Sequence, residues 1–305
     1  MQRTLEGVFP VLATPFFADR SPDDDGLRAV ARYAIDAGAD GVVYPGVASE
    51  YDTLTAEERG RLVDVVAEVA HDRVPFIVGA SANDSSTTIA CVEQARAVGA
   101  AAAMVMASRT LTSVDEVWTF FARIADIGVP IMLQNAPLPT GSGLPIDVVL
   151  DVCKAVPRIE YVKEEALPSG ARIAHLRNGA PPTLRGVFGG AGGRYITEEL
   201  ARGAVGTMPA CELTELHVAL FRAHRGGERA QVRRWFNRML PVLNMQAVFR
   251  WALTKEVLRR RAIIRHATKR APGPELDESD HVELSELLAE LTDVLDPPIV
   301  QGSPV

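Results

Sequence analysis

Short apolar runs alternate with longer stretches of helical periodicity from the start of the chain to Arg225. The runs at 7–12, 41–44, 75–79, 101–106, 129–134, 159–165, 184–188 and 206–209 predict strands, and a helical pattern follows each of them. Helices are predicted over 23–37, onward from Thr55, over 85–98, 114–127, 145–156 and 169–178, between the glycine run Gly189 to Gly193 and Arg202, and over 213–225. Local signals mark some of the ends. Gly38 stops the first helix, and Thr55-Ala56-Glu57-Glu58 reads as a capping box in which hydroxyl and carboxylate satisfy each other's backbone amides. Eight strand-then-helix units in about 220 residues is the count a closed parallel barrel needs. A doubly wound open sheet would alternate in the same way, but consecutive short units with no break in composition favour closure. The predicted fold class is therefore α/β, a (β/α)8 TIM barrel over 1–225. Beyond Arg225 the pattern is purely helical, at 229–243, 247–260 and 281–295, with Pro272-Gly273-Pro274 parting the last two. Residues 226–296 are expected to form a C-terminal helical extension and 297–305 a flexible tail.

Composition narrows the partner. With 305 residues, 47% hydrophobic, 23% charged and a net charge of -7, the chain has the make-up of a globular enzyme, and the acidic balance disfavours nucleic acid. A small-molecule ligand is expected. Cys91, Cys153 and Cys211 lie too far apart for a sequence-local zinc motif and sit in apolar segments, as packing residues in a reducing cytoplasm would. His217 and His224, seven apart on a helical stretch, read as surface decoration, and no metal is expected. Met1 to Glu6 has no apolar core of signal-peptide length, and no run approaches the ~18 apolar residues of a membrane span. A cytoplasmic protein with no membrane partner is the expectation.

The stretch Ile159-Glu160-Tyr161-Val162-Lys163-Glu164-Glu165 carries the candidate chemistry. Strand side chains alternate between faces, so Tyr161, Lys163 and Glu165 share one face and an amine and a carboxylate are aimed into the same space. A lysine in an apolar site can lose its proton near neutral pH and attack a ketone to form a Schiff base. A strand end whose lysine and glutamates reach solvent is the competing use. In a barrel, chemistry sits at the carboxyl ends of the strands, where Gly46-Val47-Ala48-Ser49-Glu50, Gln134-Asn135-Ala136-Pro137, Lys163 and the glycine run all fall. Turns of small residues expose backbone N–H groups that can hold a substrate carboxylate. The glycine run could also take phosphate, but it lacks the spacing of a nucleotide fingerprint, and a substrate hydroxyl against the backbone at Gly189 and Gly190 is the simpler use. Ser49 and Glu50 also suit a helix cap, and Arg109 is left unassigned.

These residues resemble the dihydrodipicolinate synthase and N-acetylneuraminate lyase family, barrels that form a Schiff base with a 2-oxo acid. The likeness rests on Gly46-Val47-Ala48-Ser49-Glu50 with Leu54, Glu57, Glu58 and Arg59; Asn135-Ala136-Pro137 with Thr140-Gly141; Val162-Lys163-Glu164; and Gly189-Gly190 followed by Gly203-Ala204-Val205-Gly206. It implies that Lys163 is the Schiff-base lysine, that the substrate is a 2-oxo acid whose carboxylate meets the backbone at Val47 and Ala48, that no separate cofactor is used, and that the assembly is a homotetramer built as a dimer of dimers. The departures are as informative. The family's synthases carry a threonine and two tyrosines as a proton relay and an arginine for the second substrate. The corresponding positions here hold Val47, Gln134, a residue near Arg109, and Pro139. Valine and glutamine pass no proton. Glu165 is then the expected acid/base, with Gln134 as a hydrogen-bonding partner of substrate and Ser49, Asn135, Gly189 and Gly190 as further substrate-binding positions. This set resembles the branch that dehydrates 2-keto-3-deoxy sugar acids such as 2-keto-3-deoxyarabonate. A retro-aldol lyase releasing pyruvate, and a ligand-binding protein without synthase activity, are the alternatives.

Overall fold

The computed structural model describes residues 4–111, 113–296 and 298. Met1 to Arg3 of the expected leaderless start, and the expected tail 297–305 apart from Pro298, lie outside the described residues. Among the described residues eight strands alternate with helices: β1 Gly7–Val8, β2 Val42–Tyr44, β3 Phe76–Gly79, β4 Ala102–Met106, β5 Ile131–Asn135, β6 Ile159–Glu164, β7 Gly186–Gly189 and β8 Gly206–Thr207. No helix among the described residues is long and apolar enough to cross a membrane. The chain groups into two compact units, one built mainly from Pro75–Ala191 and Tyr195–Met208, the other from Val8–Val74, Gly192–Arg194 and the residues from Pro209 onward.

In the first unit β3 to β8 pair in parallel, each with the next. Strands β3, β4 and β5 are buried along their whole length, as expected of parallel strands covered on both faces. Their register explains where the chemistry points. Gln134 pairs with Lys163 and Lys163 with Phe188, so these side chains share one face. Asn135, Glu164 and Gly189 are paired one step further along and turn to the opposite face, toward the helices Ser169–Gly179 and Ile196–Ala201. The helix Val114–Ala125 starts at a capping box between Ser113 and Glu116, and Ser85–Ala97 starts at Asp84, whose carboxylate accepts the Thr87 N–H.

In the second unit the predicted capping box is present: the Thr55 hydroxyl accepts the Glu58 N–H, and Glu58 accepts the Thr55 N–H. The opening strand is shorter than the run at 7–12 suggests, because beyond Val8 only Val11 keeps ladder contacts, with Val43 and Ala210. The C-terminal helices are placed differently from the periodicity. One continuous helix, Arg229–Phe249, runs through Pro241 and through the break expected after Leu243. The chain turns instead at Arg250, at φ 48, before the helix Trp251–Arg260. Nothing between Leu243 and Phe249 is a glycine or proline, so no residue there forces the helix to stop.

Candidate active site

Lys163 stands near the end of β6, almost fully buried. Its Nζ lies 3.3 Å from Glu165 Oε1, and among the described residues that carboxylate is its ion-pair partner. Glu165 is held on three sides. Oε2 accepts from the Gln134 amide at 2.6 Å, and Oε1 accepts from the Ala191 N–H at 3.1 Å. Burial pushes the Glu165 carboxyl upward, but the Lys163 ammonium, the Gln134 amide and the Ala191 N–H together bring it below the ordinary carboxylate range. Lys163, Glu165 and Gln134, expected as the catalytic set, are therefore in direct contact, and the partner of Glu165 is the lysine itself.

The glycines behind this group serve the side chains around them. A Cβ at Gly190 would sit 2.5 Å from Glu165 Cγ, and one at Gly189 would sit 1.8 Å from Glu199 Oε2. Gly189 and Gly190, expected to approach substrate, leave room for two carboxylates. Asn135 is likewise engaged within the protein. Its side-chain amide donates to Glu164 at 2.9 Å and to the Leu144 carbonyl at 3.1 Å, and its Oδ1 accepts the Leu144 N–H. Register turns it away from Lys163, so it braces the loop after β5. Arg109, left unassigned, donates to the Pro139 carbonyl at 2.9 Å.

Two buried carboxylates stand on the helix-facing side of the same strands. Glu164 accepts from Asn135 and the Ala166 N–H and pairs with Arg172; burial keeps its carboxyl above the usual range despite them. Glu199 is fully buried, accepts from the Ser169 hydroxyl at 2.8 Å, and has its other oxygen without a hydrogen-bond partner among the described residues. Burial raises it to about 7. The periodicity of a six-residue helix gave no sign of Glu199, though Gly189 is the position its carboxyl needs.

Val47, Ala48 and Ser49 belong to the second unit, as a 3-10 turn. The turn's own bonds run from Ser49 N–H to the Gly46 carbonyl and from Glu50 N–H to the Val47 carbonyl, so the amides of Val47 and Ala48 precede the first of them. The Ser49 hydroxyl, expected to face substrate, accepts the Gly46 N–H at 2.9 Å and donates to the Leu12 carbonyl. It is a fastener of the turn. Below it, Tyr44 donates to Thr14, which donates to the Ser49 carbonyl at 2.6 Å. His217 is buried, not surface decoration: Nδ1 lies 2.9 Å from the Leu213 carbonyl, and burial lowers the ring to about 4, so it is neutral. Cys153 and Cys211 are buried as expected, while Cys91 is only half-buried.

Strands and helices in this alternation, with a helical C-terminal part, make the chain a (β/α)8 protein, the fold of a dihydrodipicolinate synthase from Rhodopseudomonas palustris that it matches at a TM-score of 0.87 over 94% of this chain and 98% of that one, at 24% identity. Residues 4–291 match the Dihydrodipicolinate synthetase family, and the chain belongs to that family. It is 27% identical to an L-2-keto-3-deoxyarabonate dehydratase of Azospirillum brasilense over 91% of this chain and 92% of that enzyme. It is 32% identical to a 4-hydroxy-tetrahydrodipicolinate synthase of Methanothermobacter thermautotrophicus over 57% of this chain, a match that spans 62% of the synthase, less than two thirds of its length. A further structural neighbour is YagE, a prophage protein of the dihydrodipicolinic acid synthase family from E. coli K12 solved in complex with pyruvate, with a TM-score of 0.87 and 25% identity over 95% of this chain and 99% of that one.

Proposed function

We propose that the protein is a Schiff-base lyase that dehydrates a 2-keto-3-deoxy sugar acid. The observation that carries the reading is the Lys163–Glu165–Gln134 contact: an amine with a carboxylate 3.3 Å away, and an amide where the family's synthases use a tyrosine. The Lys163 amine adds to the C2 ketone and water leaves, giving an iminium. Glu165 takes a proton from C3, and the electron pair of that C–H bond moves into the C2–C3 enamine, with the iminium nitrogen as sink. Collapse of the enamine expels the C4 hydroxyl, which leaves as water with the proton Glu165 holds. From the resulting conjugated iminium a C5 proton is lost and C3 regains one, leaving a C4–C5 enol that becomes the aldehyde, and hydrolysis of the iminium then frees Lys163. Gln134 cannot titrate, so it orients Glu165 and hydrogen-bonds substrate. The resemblance assigns the substrate carboxylate to the Val47 and Ala48 amides, requires no separate cofactor, and extends to a cytoplasmic homotetramer, which light scattering would test.

Likeness over nearly the full length to a 2-keto-3-deoxyarabonate dehydratase supports dehydration, and a pyruvate-bound relative supports a 2-oxo acid. Borohydride reduction with pyruvate should add a single mass to Lys163, and turnover of 2-keto-3-deoxyarabonate should yield a semialdehyde. Pyruvate as the product would favour the retro-aldol lyase. No adduct with any of a panel of 2-oxo acids would leave only a binding protein.

A further inference from the structure

Within the first unit, Glu199 stands on the helix-facing side of the strands whose other face carries Lys163, and no step of the proposed reaction uses it. Two successive glycines touch the two carboxyls: a Cβ on Gly189 would strike Glu199, and one on Gly190 would strike Glu165. The elements around Glu199 give it one donor and no cation of its own among the described residues. From the helix Ser169–Gly179, the Ser169 hydroxyl donates to Oε1 at 2.8 Å. That helix's charged groups are engaged elsewhere, Arg172 by Glu164, His175 by Asp147 and Arg177 by the Arg202 carbonyl. On its own helix Arg202 pairs with Glu198. From β8, Thr207 is paired with Gly189 and keeps a buried hydroxyl without a hydrogen-bond partner among the described residues. From β6 and just past its end come Lys163, Glu164 and Glu165. A fully buried carboxylate with one donor and no counter-ion is costly, and the neutral acid is not. Burial accordingly brings the ionisation of Glu199 to about 7, with Glu165 and Lys163 both acting on it.

We infer that Glu199 is a positioning residue for the Schiff-base lysine: as a neutral acid it leaves Lys163 answering to one carboxylate, and as an anion it holds the amine in its charged, unreactive form. This rests on the Schiff-base reading above. Coulomb attraction is reciprocal, so an anion that Lys163 stabilises must stabilise the Lys163 ammonium in turn. Only the uncharged amine adds to a ketone. Imine formation therefore gains less from rising pH in this protein than the lysine would gain with a neutral group at position 199.

The full-length Glu199→Gln protein keeps an acceptor for Ser169 and cannot ionise. The rate of adduct formation with limiting pyruvate, quenched with borohydride at timed intervals and read by intact mass, should match the parent below about pH 6. At about pH 8.5 it should exceed the parent roughly three- to tenfold, the effect of one buried charge at this range. Ser169→Ala removes the donor that favours the anion, so its curve should follow that of Glu199→Gln to a higher pH than the parent's does. A purely structural role predicts one ratio to the parent at every pH. Such a constant ratio for Glu199→Gln, or a Ser169→Ala curve that superimposes on the parent's, overturns the inference while the adduct on Lys163 remains. Should Glu199→Gln fail to fold, the Ser169→Ala curve decides alone. No adduct in the unaltered protein overturns the Schiff-base reading and this inference with it.

Discussion

Lys163 and Lys255 are both buried lysines facing a glutamate, yet they are built for opposite ends. Lys255 has Glu50 on one side, the Thr268 carbonyl on another and an aromatic face below, and both charged side chains are wholly removed from solvent. Burial lowers its pKa to about 8 even so, against the pull of Glu50. Lys163 has one carboxylate at 3.3 Å, and that carboxylate is itself shared with Gln134 and Ala191. A depressed pKa by itself would have pointed to Lys255. What separates the two is what holds the ammonium in place: Lys255 is fixed by Glu50, the Thr268 carbonyl and the Phe16 ring together, whereas the carboxylate facing Lys163 has other donors and can release it.

The hardest test of this contrast is to remove each amine in turn. Lys163→Met should abolish the borohydride adduct and lower turnover by more than about a thousandfold, while Lys255→Met keeps the adduct on Lys163, as intact-mass measurement would reveal. An adduct on Lys255 in either protein would reverse the assignment. Glu165→Gln keeps the shape and loses the base, so imine trapping should survive while dehydration slows by about a thousandfold. Because the Glu165 carboxyl sits below the ordinary range, its base form in the parent should persist into weakly acidic solution, visible in the acid limb of the rate profile.

Lys255→Met leaves the Glu50 carboxylate buried without its cation, and should cost about 3–5 kcal/mol in denaturant unfolding. A loss under about 1 kcal/mol would mean that the pair is not the structural one. The smallest effect is expected at Glu199. Its folded pKa of about 7 lies above the usual 4.5, so its contribution to stability is complete below about pH 4.5 and disappears as pH rises through 7. Glu199→Gln should therefore gain on the parent from pH 5 to pH 8, by on the order of 3 kcal/mol, read from melting curves at each pH. A gap that does not widen with pH would place Glu199 in the charged state throughout.

The strand-and-helix alternation was legible because each element carries its own period and its own ends: the Thr55–Glu58 box and the apolar runs of β3 to β6 are local signals. Lys163 and Glu165 were legible for the same reason, since alternation along one strand fixes which side chains share a face. Asn135, one residue past Gln134, shows where that reading weakens, because its role depends on what occupies the opposite face. The helix break at Arg250, the burial of Ser49 and His217, and the placement of Glu199 against Gly189 depend on neighbours remote in sequence.

Taken alone, the order of residues determined the count and type of elements, the lysine, and the carboxylate beside it. Tertiary structure decided which buried charges are saturated and which are spare, because a hydrogen bond between Glu50 and Ala271 or between Gln134 and Glu165 joins residues that no local pattern connects. Periodicity is a property of one segment, whereas satisfaction of a buried charge is a property of everything packed around it.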